Sequence, residues 1–259
     1  MGEIGKNQMV WMALTAAALA VLPICALVVW KKRAGESWFA VISGALGFLL
    51  FSKVLEAGVH IYCIVLENPV SRAITGNVFL FTLYGCAMAG IFEEVGRYLV
   101  FRLPLRRKKN PQTAIGYGIG HGGIEVYVNV LAQMILLIVM SLRYNQGGEA
   151  AVGSAGAAMV ASTAVGFSAV TAILYVLERV FAMAFHVAMS VVVFAAVRQK
   201  RPALLLLAIL IHGIIDIPAA LFQYGVMNLY WFEAMFALLI VAACGISVKY
   251  WRQLNLSFQ

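Results

Sequence analysis

Charged residues are scarce in this sequence, and cysteines and prolines are few. Only 12% of the 259 residues are charged, 63% are hydrophobic, and there are four cysteines and six prolines. So little charge excludes a soluble globular protein and a disordered chain. The cysteines form no Cys-x-x-Cys pairing, which excludes a disulfide-rich secreted scaffold. The composition is that of a helical membrane protein.

Long apolar runs fill most of the chain. A membrane-spanning helix needs about 20 apolar residues, and seven runs of this kind are present. We predict an all-α fold, a polytopic transmembrane helical bundle that forms a single integral membrane domain over residues 1–259. For the Gly-, Ala- and Ser-rich segment 145–165, the sequence is compatible with either a loop or a partly buried segment. The predicted spans are residues 9–30, 38–66, 77–101, 112–140, 167–197, 203–226 and 229–248.

Lysine and arginine are unevenly distributed between the two sides of the predicted bundle. Thirteen of the 19 fall on one side, in segments 31–33, 102–109, 198–201 and 249–252, and three fall on the other. Because positively charged loops face the cytoplasm, we predict a cytoplasmic C-terminus and an outside N-terminus in the cell membrane. The net charge of +8 therefore reflects topology in a lipid bilayer and not binding to nucleic acid.

Ionisable side chains inside the predicted spans are the unusual feature of the sequence. Six of the eleven carboxylates and all four histidines lie there. Each costs on the order of 2.5–3.5 kcal/mol to insert, so a group of them marks a functional site. At about 1.5 Å per residue from the predicted cytoplasmic end, five of them on four spans reach similar depths. These five are Glu93, Glu94, His121, His186 and His212.

A structural interpretation of these charges is also available, because Arg97 lies at i,i+4 from Glu93 and at i,i+3 from Glu94 and can neutralise one of them. Two adjacent glutamates that share one arginine still leave a negative charge or a shared proton. We therefore expect a single polar site lined by all five side chains.

Four short motifs on successive spans carry a family resemblance. They are Glu93-Glu94-x-x-Arg97, Tyr117-x-x-x-His121, His186-x-x-x-Ser190 and His212-x-x-x-Asp216. This ordered set resembles the motifs of the CAAX-protease and bacteriocin-processing superfamily of intramembrane peptidases. The chain is most similar to its YhfC-like members, often described as intramembrane metalloproteases. It departs from the superfamily pattern in an arginine one residue earlier and in Tyr117 where phenylalanine is usual.

The resemblance implies an intramembrane endopeptidase that cleaves a membrane protein or a lipidated peptide. In these peptidases the first glutamate and the histidine of the aromatic motif activate water, and later histidines stabilise the oxyanion. The catalytic residues would be Glu93, Glu94, Arg97, His121, His186 and His212, and the supporting residues Tyr117, Glu125, Ser190 and Asp216. From the i,i+4 spacing, we expect Glu125 to orient His121 and Asp216 to orient His212.

The use of a metal stays open at this point. Histidines and carboxylates at one depth could hold zinc with an open position for water, and the candidate ligands are Glu93, His121, His186 and His212. No span carries His-Glu-x-x-His, so the ligands would have to converge from different helices. Catalysis by glutamate without a metal is slightly preferred.

Two functions from other classes compete with the peptidase. A proton- or ion-coupled transporter also places carboxylates and histidines in the membrane interior, but it commonly shows inverted repeats, and we find none here. A non-catalytic membrane scaffold similar to the Aph-1 subunit of γ-secretase would keep the histidines without the double glutamate. Glu93 and Glu94 therefore favour the peptidase.

The predicted orientation can be tested by cysteine labelling after the four native cysteines are replaced by serine. Lys108→Cys should react with a membrane-impermeant thiol reagent only from the cytoplasmic side, because segment 102–109 carries five cations and such loops stay inside. Arg72→Cys is the control and should react only from outside. Labelling of position 108 in intact cells would show that the orientation is inverted.

Overall fold

The computed structural model describes residues 3–34 and 37–258. This part of the chain is helical and contains no strand. Within these described ranges, seven helices are long and apolar enough to cross a membrane, which confirms the predicted all-α bundle of seven spans. The side of the membrane on which each end lies, and the single membrane domain, stay predictions. With the π-helical turns of α2 and α5 included, the helices are α1 Lys6–Ala34, α2 Trp38–Val65, α3 Pro69–Thr75, α4 Val78–Arg102, α5 Gln112–Ala164, α6 Ala169–Arg198, α7 Ala203–Gln223 and α8 Leu229–Phe258.

The main difference from the predicted spans is in segment 145–165. It is helical as far as Ala164, but two helices meet at a kink within it, so α5 is not one straight helix over its 53 residues. The backbone leaves helical geometry at Gly147, Gly148 and Gly153, and φ is 62° at Gly148 and 73° at Gly153. Glycine adopts these values at little steric cost. The segment is therefore an interrupted helix, while α8 continues to Phe258, beyond its predicted end at residue 248.

Side-chain caps mark the starts of α2, α3 and α4. Ser37 Oγ accepts a hydrogen bond from the amide of Phe39 at 3.1 Å. The Asn77 side chain accepts from the first amides of α4, and Asn68 and Ser71 form a reciprocal capping box at α3. The first amides of a helix have no partner within the helix. These three caps therefore fix where the helices begin.

The helices divide into two compact units, and the first comprises Met1–Ala26 and Glu125–Val180. The Asn145 side chain accepts from the amide of Ile4 at 2.7 Å and donates to the carbonyl of Ile4 at 2.8 Å. These two hydrogen bonds hold Ile4, near the start of the chain, against α5. The core of the unit consists of Ile4, Met12, Met134, Leu137, Val160, Ala164, Phe167 and Ala172.

The second unit comprises Leu27–Ile124 and Phe181–Gln259. Within it, residues 191–196 of α6 form an unbroken buried run in which no side chain is more than 4% exposed. A helix that is apolar and buried all round occupies the centre of its unit. Except for Glu125, every residue predicted for the site lies in this unit.

Glycines let α5 approach its neighbours in the second unit at backbone distance. A Cβ at Gly120 would lie 2.0 Å from the carbonyl oxygen of Val41 on α2, and one at Gly118 would lie 2.5 Å from Cα of Val187 on α6. Small residues permit this close packing of membrane helices. The glycine face thus places the next residue, His121, between α2 and α6.

Gly44→Ala should lower the thermal stability, because the added carbon would lie 2.1 Å from the carbonyl oxygen of Tyr117 and overpacking costs about 1–3 kcal/mol. Gly58→Ala is the matched control on the same helix, with nothing within 4 Å of the added carbon. It should leave stability unchanged or raise it, because alanine is the better helix former. Thermal unfolding in detergent measures both, and equal melting temperatures would show that this helix contact is loose.

Candidate active site

Three ionisable side chains on one turn of α4 form the first part of the site. Glu93, Glu94 and Arg97 are 8%, 0% and 0% exposed. Arg97 Nη1 donates to both carboxylate oxygens of Glu94 at 2.8 Å, an i,i+3 pair. Arg97 therefore pairs with Glu94, which leaves the carboxylate of Glu93 to interact with other helices.

The Glu93 carboxylate is surrounded by histidine rings from three other helices. Its Oε2 lies 2.9 Å from Nε2 of His121 on α5. The same oxygen lies 3.9 Å from Nδ1 of His186 on α6 and 3.9 Å from Nε2 of His212 on α7. All three rings are buried. The structure thus brings together the five residues that the sequence placed at one depth.

The histidines differ in their second hydrogen-bond partner, and these partners assign the ring protons. His212 Nδ1 bonds to Glu94 Oε1 at 2.6 Å, so Nδ1 carries the proton and Nε2 faces the cluster. Nδ1 of His186 is 3.1 Å from Arg97 Nη2. Because a guanidinium only donates, this nitrogen accepts and the proton of His186 lies on Nε2. Nδ1 of His121 has no hydrogen-bond partner within residues 3–34 and 37–258.

Two of the supporting residues, Tyr117 and Ser190, pack beside the histidines of the cluster. The ring of Tyr117 is fully buried, and its centroid lies 4.7 Å from that of Phe101 and 6.0 Å from that of His121. Ser190 Oγ donates to the carbonyl of His186 at 2.6 Å. Both residues therefore support the histidine-bearing helices.

The other two supporting residues occupy different surroundings. Asp216 Oδ2 is 3.6 Å from Nε2 of His212, an i,i+4 contact longer than a hydrogen bond, and Glu94 holds the other ring nitrogen at 2.6 Å. Glu125 belongs to the first unit, where its Oε1 accepts from Arg179 Nη1 at 3.2 Å. Its expected role toward His121 stays a prediction.

Two aromatic residues of the site were not predicted. Phe48 meets the ring of His121 edge-on at 5.0 Å, and Phe185 meets the ring of His212 at 4.8 Å and 89°. Edge-to-face contacts of this kind fix ring orientation and keep water out. Gly44, one helical turn before Phe48, is a sequence signal of close approach, whereas no pattern distinguishes Phe185 from other apolar residues.

If all three histidines are neutral, the buried charges of the site do not sum to zero. Glu93, Glu94 and Arg97 together leave one net negative charge in a buried environment, where a bare charge is costly. Either a proton on one of the histidines or a bound cation must offset it. His212, which contacts both Glu94 and Asp216, is the histidine best placed to carry such a proton.

The donor set of the cluster also fits a divalent metal. Glu93, His121 and His186 each offer one ligand atom, and these atoms lie within 4.8 Å of one another. Tetrahedral zinc with bonds of about 2.0–2.1 Å sets its donors about 3.3 Å apart, close to the 2.9 Å between Glu93 Oε2 and His121 Nε2. Nδ1 of His186 lies 3.9 Å from the same oxygen, and as a ligand it would have to give up the hydrogen bond from Arg97. Two histidines and a glutamate also form the ligand set of known catalytic zinc sites.

Comparison with known proteins agrees with the motifs. The model of a family described as YhfC intramembrane metalloprotease matches residues 18–237, a range that includes the whole cluster. A Bacillus subtilis (strain 168) protein named "Uncharacterized membrane protein YhfC" is 32% identical over 253 residues, which are 96% of each chain. No solved structure matches. The chain is a multi-pass integral membrane protein and belongs to the YhfC intramembrane metalloprotease family.

Proposed function

We propose that this protein is an intramembrane endopeptidase that hydrolyses a peptide bond of a membrane protein or a lipidated peptide. The observation that carries the proposal is the buried Glu93 carboxylate with three histidine nitrogens within 3.9 Å. A carboxylate can take the proton of an attacking water, and ring N–H groups can stabilise the oxyanion. Membership of the family supports the same chemistry.

Glu93 is the general base in this mechanism. Its neighbour Glu94 is committed to Arg97 at 2.8 Å and to His212 at 2.6 Å, so its oxygens are already engaged by charged or polar donors. Glu93 Oε2 is held by Nε2 of His121 at 2.9 Å. That contact positions the oxygen that receives the proton from water.

The remaining two histidines act as donors. The Nε2–H of His186, fixed by the Arg97 bond at Nδ1, stabilises the oxyanion formed on the scissile carbonyl. Nε2 of His212 lies 3.9 Å from Glu93 Oε2, so a charged His212 can give its proton to the leaving amine and then receive the proton collected by Glu93. Glu94 stabilises His212 in the charged form during this transfer.

A metal is compatible with the same residues, and the description of the family favours it over the metal-free form that the sequence slightly preferred. Glu93, His121 and His186 would hold a divalent ion such as zinc. When bound, the ion would acidify a water molecule and polarise the scissile carbonyl. In that form Glu93 and His186 would act as ligands in place of their roles as base and oxyanion donor, while His212 lies outside the ligand set and keeps its role in proton transfer.

Glu93→Gln keeps the size and polarity of the side chain but removes the base. We expect the variant to insert and fold with unchanged or slightly higher thermal stability, because it relieves the repulsion between two buried carboxylates. Cleavage should fall by about 10²- to 10⁴-fold. Thermal unfolding in detergent and mass spectrometry of candidate membrane substrates in proteoliposomes measure the two effects. Glu149→Gln, at an exposed position of α5, is the control and should cleave normally.

Arg97→Ala should behave differently and serves as the comparison for Glu93→Gln. It removes the partner of the fully buried Glu94, and breaking a buried pair costs about 3–5 kcal/mol. Both stability and cleavage should therefore fall. If Glu93→Gln retains full cleavage, or destabilises the fold as much as Arg97→Ala, then Glu93 is not the base and the cluster is structural.

The metal can be tested separately from activity. If Glu93, His121 and His186 hold an ion, the purified protein should contain about one divalent metal per chain, and His121→Ala and His186→Ala should each lose most of it. Elemental analysis by mass spectrometry measures the content. His60→Ala is the control, since His60 contacts Glu56 and Tyr84 and not the cluster. Equal metal content in the unchanged protein and all three variants would show that these residues hold no metal, and the metal-free mechanism would then apply.

A further inference from the structure

The loop between α4 and α5 is fixed to the end of α6 by one arginine. Arg198 Nη1 donates to the carbonyl of Arg106 at 2.9 Å. Its Nη2 donates to the carbonyl of Leu105 at 3.0 Å and to that of Lys108. The guanidinium also lies 4.8 Å from the ring centroid of Phe194. Because a guanidinium presents its donors in a rigid fork, this contact fixes the loop backbone at three carbonyls.

The fixed loop carries cations and no acidic residue. Asp and Glu are absent from residues 98–124 and from residues 181–215. The basic side chains of the loop and of the turn after α6 are mostly exposed. We call this group the basic platform, and it consists of Arg102, Arg106, Arg107, Lys108, Lys109, Lys200 and Arg201.

The basic platform lies where two membrane-spanning helices end, α4 at Arg102 and α6 at Arg198. Side chains just beyond the end of a span reach the level of the lipid headgroups. Leu103 directly follows Arg102 and is 61% exposed. An exposed apolar side chain beside cations is the pattern of a surface that places apolar groups at the acyl boundary and cations among phosphates.

We propose that the basic platform is a binding site for anionic phospholipid headgroups and that Arg198 pre-organises it. Clustered cations at this level attract anionic lipid electrostatically, and a fixed backbone lowers the entropy cost of holding a headgroup. The exposed leucine favours lipid over an acidic segment of a soluble partner. The proposal is independent of peptide hydrolysis.

Thermal unfolding of the purified full chain tests the platform without an activity assay. Micelles containing phosphatidylglycerol should raise the melting temperature above the value in phosphatidylcholine by about 3 °C or more. The difference should shrink at about 0.5 M salt, because screening shortens the range of charge interactions. The difference between the two lipids is compared within each variant, so changes in intrinsic stability cancel.

Two sets of variants separate a built site from diffuse positive charge. The triple variant Arg106→Gln/Arg107→Gln/Lys109→Gln should lose most of the phosphatidylglycerol effect. The matched control, Lys31→Gln/Lys32→Gln/Arg33→Gln at the end of α1, removes the same charge and should keep it. An equal loss in both, or no loss in the first, would overturn the proposal. So would stabilisation by soluble polyglutamate without an effect of phosphatidylglycerol.

Arg198→Lys tests the pre-organisation alone. Lysine keeps the charge but is a point donor that cannot serve three carbonyls in the geometry of a guanidinium. The phosphatidylglycerol effect should therefore fall to less than about half at unchanged net charge. A full effect in Arg198→Lys would show that Arg198 does not organise the platform.

Discussion

The ion pair between Arg97 and Glu94 is the interaction on which the rest of the site depends. Both side chains are fully buried, so each charge requires the other. Each member of the pair also forms a hydrogen bond to a histidine on another helix. Arg97 Nη2 reaches His186 on α6 at 3.1 Å, and Glu94 Oε1 reaches His212 on α7 at 2.6 Å. One i,i+3 pair on α4 therefore orients two rings on two other helices.

This arrangement gives two adjacent glutamates different surroundings. Glu94 contacts a permanent cation and a ring N–H, and it serves as a fixed negative charge. Glu93, one residue away and therefore rotated by about 100° around the helix, faces the histidines instead. The helix geometry alone separates a structural carboxylate from one that can accept a proton. Two identical side chains that are adjacent in sequence thus have different partners because they point in different directions.

The sequence predicted which side chains meet but not how they bond. Span length and depth were enough to group Glu93, Glu94 and the three histidines, because a charge in a membrane must face other polar groups. Spacing alone could not decide whether Arg97 pairs with Glu93 or Glu94, nor that Glu94 also bonds to His212. Rotamers and helix rotation decide these contacts, and both depend on packing between helices. The break in α5 at Gly147 was likewise hidden, because glycine is compatible with helix and loop alike.

Packing between backbones is what keeps a site of this size in place. The polar atoms around Glu93 lie within 3.9 Å, so a shift of about 1 Å between helices would separate them from productive geometry. Gly44, Gly118 and Gly120 leave no space for a methyl group between α5 and its neighbours. Helices in contact at the backbone have little freedom to slide, because any displacement meets main-chain atoms. The glycines therefore fix the distance between His121 and Glu93 without contacting either side chain.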